Sequence, residues 1–335
     1  MKLAVAERRV ALRDALPAAW GEVTDRTVLE VELTGDDGVT GRGEAAPLEP
    51  YDGVSLDECR AALDAYASVL APLDYARGGE LLDACRAVAD VPQALAAVDL
   101  ALWDRAGRRA ETPVAELLYD QPLDRVPVNA TIGAVDRAGA ADAAARARAD
   151  GYACVKVKVG AGDDAGRVAA VRAAAGPEMA LRLDANGAWT PDEAVRWIEA
   201  LSGAGLELVE EPVHGVIAIR AVRDRVPVRV SIDESATEPG ALAAGVADAV
   251  CLKVSRCGGI SGLLAQAALA KAMGMDVYLA STYDGPLGIA AAVHCAAALR
   301  VDLPCGLATL ADAGELEPRD GKIVVPAGAG LLGEA

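Results

Sequence analysis

Apolar and polar positions alternate over Leu3 to Leu12 and again over Thr27 to Leu33, the period of two that marks half-buried strands. Gly35-Asp36-Asp37-Gly38 reads as a hairpin turn and Val39 to Ala45 as the returning strand, so the chain opens on an antiparallel sheet. Arg13 to Asp25, with Pro17, Trp20 and Gly21, and Pro47 to Ser55 read as loops of the kind that serve as lids. Helical patterns follow over Leu56 to Leu70, Glu80 to Val88 and, strongly apolar, Gln93 to Ala106, with a short helix near Val114 to Leu118.

The pattern then changes. Short apolar runs end near Ile132, Val159, Ala185, Glu211, Glu234, Ser255, Ser281 and Thr309. Helical segments separate them: Ala140 to Ala149, Asp164 to Ala174, Pro191 to Leu201, Val216 to Val222, Pro239 to Ala244, Gly259 to Met273 and Leu287 to Leu299. Regular alternation of strand and helix predicts a compact (β/α) barrel of the TIM type, modified at its last unit. The expected division is an α+β capping domain, residues 1–92 joined by the Gly-rich tail 311–335, around a barrel formed by residues 93–310.

Composition sharpens this only a little. A chain of 335 residues, 53% hydrophobic, suffices for one barrel or two domains. With 3% aromatic residues and no Phe, aliphatic side chains and alanine must do most of the packing. The formal charge of −18 argues against nucleic acid or an anionic membrane surface as a partner. Seven scattered cysteines without a C-x-x-C pair read as buried thiols in a reducing compartment. No signal peptide or membrane span is legible, so the expected location is the cytoplasm, as a monomer or a homo-oligomer.

Chemistry enters at the strand ends. In Val155-Lys156-Val157-Lys158-Val159 the two lysines are two apart and share a face. Their mutual repulsion, with partial burial, is expected to lower the pKa of at least one toward that of a general base. Each following strand also ends in a charge, at Asp184, Glu210, Asp233 and Lys253. Parallel barrel strands bring their C-terminal ends to one mouth, where active sites are built. Three carboxylates meeting there without a cation would repel; oxygen-only ligands favour Mg²⁺, with Mn²⁺ as a substitute. Lys158 precedes the acids and Lys253 follows them, so the two can face each other across a substrate. A dinucleotide-binding reading of Gly160-Ala161-Gly162-Asp163-Asp164-Ala165-Gly166 fails: the spacing is wrong, and two aspartates stand where a pyrophosphate needs bare amides.

The ordered set of a Lys-x-Lys strand, three acids and a lysine on successive strands resembles the enolase superfamily, specifically its muconate lactonizing enzyme subgroup. The resemblance covers nearly the whole chain, including Gly43-Glu44-Ala45-Ala46-Pro47 near the start. It implies that Lys158 is a base, that Asp184, Glu210 and Asp233 bind Mg²⁺, and that Lys253 is the opposing lysine. It further implies that Lys156 and Asn186 support them, and that Glu211 and Glu234 orient the ligands. The implied substrate is a small-molecule carboxylate deprotonated at the neighbouring carbon to an enediolate. Within the subgroup the short chain, Arg182 two residues before Asp184, and the last strand Cys305-Gly306-Leu307-Ala308-Thr309-Leu310 resemble the members that dehydrate a cyclohexadiene carboxylate. The Asp-x-Asp with which its epimerases hold an ammonium is missing from that strand. Arg182 shares the inward face of Asp184 and could support the site by contacting or polarising groups in the barrel, or could instead form a buried salt bridge to a metal-ligand carboxylate. Ser281, Thr282, Gly285 and Gly288 are candidate substrate contacts through hydroxyls and amides, or simply turn and helix-cap residues. His214 and His294 fall outside the constellation.

Overall fold

Leu29, Val31 and Leu33 alternate with Glu30 and Glu32, and a strand so patterned buries one face and leaves the other wet. It is the middle strand of a three-stranded antiparallel sheet: β1 (Lys2–Ala18), β2 (Gly21–Thr34) and β3 (Thr40–Ala45), in that order. The computed structural model describes residues 1–18, 21–160 and 162–333. The buried face of the sheet packs on α2 (Leu56–Leu70), α3 (Gly78–Val88) and α4 (Pro92–Ala110), which together enclose a core of their own. Ser55 and Glu58 close a reciprocal capping box at the start of α2.

The opening hairpin departs from expectation. Arg13 to Asp25 is not a loop: β1 and β2 run on through it, pairing Leu16 with Val23, Pro17 with Glu22 and Ala18 with Gly21 after a bulge between Ala11 and Leu16. A two-stranded ribbon held by backbone pairing needs no alternating pattern, so the sequence carries no signal for it. Trp20 lies outside the described residues. The second expected loop, Pro47 to Ser55, contains the four-residue helix α1 (Glu49–Asp52).

After α5 (Val114–Leu118) and β4 (Arg125–Pro127) comes a curled parallel sheet. Its strands are β5 (Ala130–Ile132), β6 (Cys154–Lys158), β7 (Ala180–Asp184), β8 (Leu206–Glu210), β9 (Arg229–Ile232), β10 (Ala249–Leu252) and β11 (Asp276–Leu279), neighbours in sequence order. The connecting helices are α6 (Arg137–Ala149), α7 (Asp164–Ala175), α8 (Pro191–Leu201), α9 (Val216–Arg223), α10 (Ala241–Ala244) and α11 (Ile260–Ala272), with α12 (Pro286–Leu299) after β11. The expected eighth strand is reduced to two residues. Cys305 bridges Val128 and Gly306 bridges Ala280, and these contacts close the ring between its first and last strands.

The tail divides its contacts. Ala311 N–H donates to the Ala11 carbonyl and Glu317 pairs with Arg13 at 2.7 Å, both on β1. Farther on, β12 (Lys322–Val324) pairs antiparallel with β4, and Leu331 N–H donates to Asp104 of α4 at 2.8 Å. Among the described residues no helix is long and apolar enough to cross a membrane, and all seven cysteines are free thiols.

Candidate active site and metal centre

Strand register builds the site. Lys158 pairs with Asp184 and Asp184 with Glu210, so one rung across β6, β7 and β8 presents a lysine and two acids side by side. Asp233 stands one residue beyond β9 and Lys253 one beyond β10, at the same end of the ring. Neighbouring strands lie just under about 5 Å apart, so these side chains must interact.

Lys156, one pleat below Lys158, is buried and bridges two of the acids, at 2.9 Å from Asp184 Oδ2 and 3.0 Å from Glu210 Oε1. Lys158 is more open to solvent; its Nζ donates to Asp184 Oδ2 and to Asn186 Oδ1, each at 2.7 Å. Lys253 Nζ donates to Asp233 Oδ1 and, at 2.8 Å, to the Tyr51 hydroxyl oxygen. Glu210 and Asp233 oxygens lie within 4.8 Å of one another and of Cys251 Sγ. Burial pushes the Cys251 thiol well up, so it stays a neutral, soft group that suits a hard cation poorly. Glu210 and Asp233, with Asp184 beside Glu210 on the same rung, offer the carboxylate oxygens that suit a hard divalent cation such as Mg²⁺.

The electrostatics differ from the expectation of a lowered lysine pKa. Burial alone would lower Lys156, but Asp184 and Glu210 hold it well above the ordinary lysine range. Lys253 is likewise raised, burial being outweighed by Asp233. At Lys156 the two carboxylates 2.9 and 3.0 Å away outweigh the neighbouring positive charge. Burial opposes ionisation of Asp184, yet Lys156 and Lys158 hold it far below the usual carboxylate range. Burial pushes Glu210 up, with Asp184 and Asp233 adding to it against the pull of Lys156.

The surrounding acids act as braces. Glu211 is buried, and its carboxylate accepts from the backbone N–H of Asp233 (2.8 Å) and of Ser235 (3.0 Å), fixing the turn that carries Asp233. Glu234 Oε1 accepts from Asn186 Nδ2 at 2.9 Å. Asn186 and Glu211 both have positive φ, 44° and 37°, at the ends of β7 and β8. Such backbone is costly for non-glycine residues and clusters at functional sites.

Arg182 lies in the barrel interior, as its inward face implies, but it does not pair with a ligand-type carboxylate. It is fully buried but points away from the mouth: Nε pairs with Glu207 at the start of β8, and Nη1 donates to the Pro304 carbonyl at 2.7 Å. Its ion pair is therefore with an acid below the site, not with a ligand-type carboxylate. Three of the four candidate substrate contacts are also spent within the protein. Thr282 is buried, bonded to Asp284 Oδ1 (2.9 Å) and Ser255 Oγ (2.7 Å). Leu287 N–H, at the start of α12, donates to Glu44 Oε2 at 3.1 Å, and the amides of Gly285 and Gly288 turn toward the same carboxylate. A Cβ at Gly285 or Gly288 would stand 2.5 or 2.7 Å from a Glu44 oxygen, so the helix-cap reading is the one that the geometry carries. Ser281 remains half-buried at the mouth, 3.0 Å from Thr309 Oγ1. His214 touches Glu211 at 3.1 Å from the solvent side, and His294 is buried far from the rung, between Ala115 and Leu331.

Tyr51, Arg256 and Tyr278, neighbours of this constellation, escape sequence reasoning. Tyr51, from α1 of the first domain, accepts from Lys253 and from Arg256 Nη1 (3.1 Å) and donates to Asp233 at 3.2 Å. Its ring lies 5.1 Å from Lys253 Nζ and 5.0 Å from Arg256 Cζ. Tyr278 of β11 donates to Glu210 Oε2 at 2.7 Å from inside the ring. The one available signal was the inward alternation of β11, which puts Tyr278 on the face of Ala280.

Two family models match the chain: Enolase C-terminal domain-like over residues 139–333, and Mandelate racemase / muconate lactonizing enzyme, N-terminal domain, over residues 1–118. The hydrophobic dipeptide epimerase of Enterococcus faecalis is 31% identical over 304 residues, 87% of this chain and 84% of that protein. The o-succinylbenzoate synthase of Thermobifida fusca is 43% identical over 208 residues, 58% of this chain and 63% of the synthase. Among solved structures, the Enterococcus faecalis V583 dipeptide epimerase complexed with Mg and the dipeptide L-Leu-L-Tyr superposes with a TM-score of 0.88 at 26% identity, covering 98% of each chain. The register of acids and lysines and these matches lead to one conclusion: the chain belongs to the mandelate racemase/muconate lactonizing enzyme family of the enolase superfamily.

Proposed function

We propose that the protein is an o-succinylbenzoate synthase, dehydrating 2-succinyl-6-hydroxy-2,4-cyclohexadiene-1-carboxylate to o-succinylbenzoate in menaquinone biosynthesis. The observation that carries this reading is the higher local identity to the Thermobifida fusca synthase, 43% against 31% for the epimerase, over a narrower span. The strand-eight segment Cys305 to Leu310 agrees with it, since it offers no carboxylate to a substrate ammonium.

Asp184, Glu210 and Asp233 would hold Mg²⁺, with Mn²⁺ as a substitute; when bound, the cation offsets the negative charge that builds on the substrate carboxylate. Lys158, steadied by Asn186, takes the proton from the ring carbon that bears that carboxylate. The electron pair left behind is delocalised into the carboxylate as an enediolate. It then returns to the ring as the hydroxyl on the adjacent carbon departs, taking a proton from Lys158 and leaving as water. One C–H and one C–O bond break, a ring double bond forms, and the ring becomes aromatic. Lys253, kept protonated by Asp233 and Tyr51, faces the developing charge from the opposite side. Glu211 and Glu234 hold the turn and the amide on which this alignment depends.

The test is loss of the diene absorbance of that substrate with and without Mg²⁺, in wild type and Lys158→Ala. Turnover that requires both is the expected result. A folded, metal-loaded wild type without turnover overturns the synthase reading.

A second reading, N-acylamino acid racemisation or dipeptide epimerisation, is favoured by the second lysine across the rung and by the near full-length match to an epimerase. Under it Lys158 and Lys253 exchange protons on opposite faces of one carbon. Deuterium entering a chiral N-succinylamino acid at its α-carbon separates the two activities.

A further inference from the structure

Arg182, Tyr278 and Glu210 form a continuous column through the barrel interior. The Arg182 guanidinium lies 5.0 Å from the centroid of the Tyr278 ring. The Tyr278 hydroxyl reaches Glu210 Oε2 at 2.7 Å and is 2.9 Å from Ser231 Oγ. All four side chains are buried, Tyr278 at 1% exposure and Arg182 at 0%. Tyr278 comes from β11, three strands from β8 in the sheet, so it crosses the ring to meet an acid 68 residues away in the chain. This is a costly use of a barrel core, because a hydroxyl placed there must find a partner or lose its hydration unpaid.

We propose that Tyr278 is a positioning residue for the divalent cation, holding the Glu210 carboxylate from beneath while Arg182 and Ser231 hold Tyr278. The inference rests on the reading of Glu210 as a ligand. Lys156 takes one lone pair of Glu210 Oε1 and Tyr278 one of Oε2. A carboxylate has about four such sites, so two remain to face the mouth, and the two donors between them fix its plane. The phenol donates its single proton to Glu210, which assigns Ser231 as donor to the phenol oxygen. Arg182, stacked on the ring, favours this ring orientation and strengthens the phenol as a donor. In this arrangement Arg182 acts at the site only through Tyr278.

Tyr278→Phe keeps the ring and its stacking and removes the hydroxyl alone. Mg²⁺ affinity is measured calorimetrically on the chelator-treated full chain, beside the thermal midpoint of the metal-free protein. The expected result is a 10- to 100-fold weaker Kd, in the range for groups that orient metal ligands. Turnover should recover toward the wild-type kcat as Mg²⁺ is raised, a split that simple loss of packing would not produce. Glu210→Gln is the control for the ligand assignment. If Glu210→Gln loses binding while Tyr278→Phe binds like wild type, the positioning role is overturned and the ligand reading stands. If Glu210→Gln binds like wild type, the ligand reading itself fails, and the positioning role with it. Should Tyr278→Phe not fold, Ser231→Ala serves instead. It removes the donor to the phenol, and several-fold weaker binding supports the column, whereas unchanged binding overturns it.

Discussion

Asn186 links Lys158 to Glu234: its Oδ1 accepts from the Lys158 ammonium at 2.7 Å, and its Nδ2 donates to Glu234 Oε1 at 2.9 Å. Its backbone stands at φ 44°, a conformation that Asn tolerates better than most residues. Replacing Asn186 by Ala frees the amine that is proposed to take the proton. A misplacement of about 1 Å costs up to roughly a hundredfold, so kcat should fall by that order while Mg²⁺ affinity changes little. Steady-state kinetics beside a metal titration decides it; an unchanged kcat would remove Asn186 from the supporting set.

Tyr51 crosses from the first domain to hold Lys253. Tyr51→Phe keeps the ring over the ammonium and removes the oxygen that accepts from Lys253 and Arg256. Hydrogen bonds to charged groups are worth about 1.5–3 kcal/mol, so kcat/KM should drop by roughly ten- to a hundredfold. Equal kcat/KM in the variant would mean that the phenol is only a wall of the pocket.

Glu44 joins the domains. Burial, reinforced by Asp284, raises its carboxyl to about 8 while it caps α12. In the folded protein it stays protonated to higher pH than in the unfolded chain. It therefore costs stability as pH rises above the unfolded carboxyl value, by about 1.4 kcal/mol per unit until the folded pKa is reached. Glu44→Gln, which cannot ionise, should lose less stability than wild type between pH 5 and about 8. Urea unfolding across that window measures it, and parallel pH profiles would argue against the buried acid.

His294 gives the opposite slope. Its Nδ1 accepts from Ala115 N–H at 3.1 Å and its Nε2 donates to the Leu331 carbonyl at 2.9 Å, a pair that only the neutral ring can make. Burial lowers it to about 4. As pH falls below the unfolded histidine value the unfolded chain takes the proton first, so stability is lost down to the folded pKa, roughly 3 kcal/mol in all. His294→Gln should be flatter in this acid range by about that amount. A variant as acid-sensitive as wild type would show that other groups set the slope.

How much was legible depended on distance along the chain. The alternation from Ile132 to Ser281 predicted the barrel strands and their helices because periodicity is local, and parallel topology then brings all strand ends to one mouth. The rung of Lys158, Asp184 and Glu210 follows from that topology with no knowledge of packing. Two local readings failed where backbone pairing needs no pattern. The ribbon through Arg13 to Asp25 looked like a loop, and the closing strand shrank to Cys305 and Gly306.

The sequence by itself therefore determined the fold class, the order of acids and lysines and their gathering at one end, because spacing and alternation are properties of neighbouring residues. Only the tertiary structure decided what each charged group meets. It turned Arg182 down to Glu207, gave the α12 amides to Glu44, set Tyr51 against Lys253 and raised Lys156 where repulsion alone would have lowered it. Those outcomes depend on which distant side chain comes within about 3 Å in a site that excludes water, where hydrogen bonds and charge pairs are strongest.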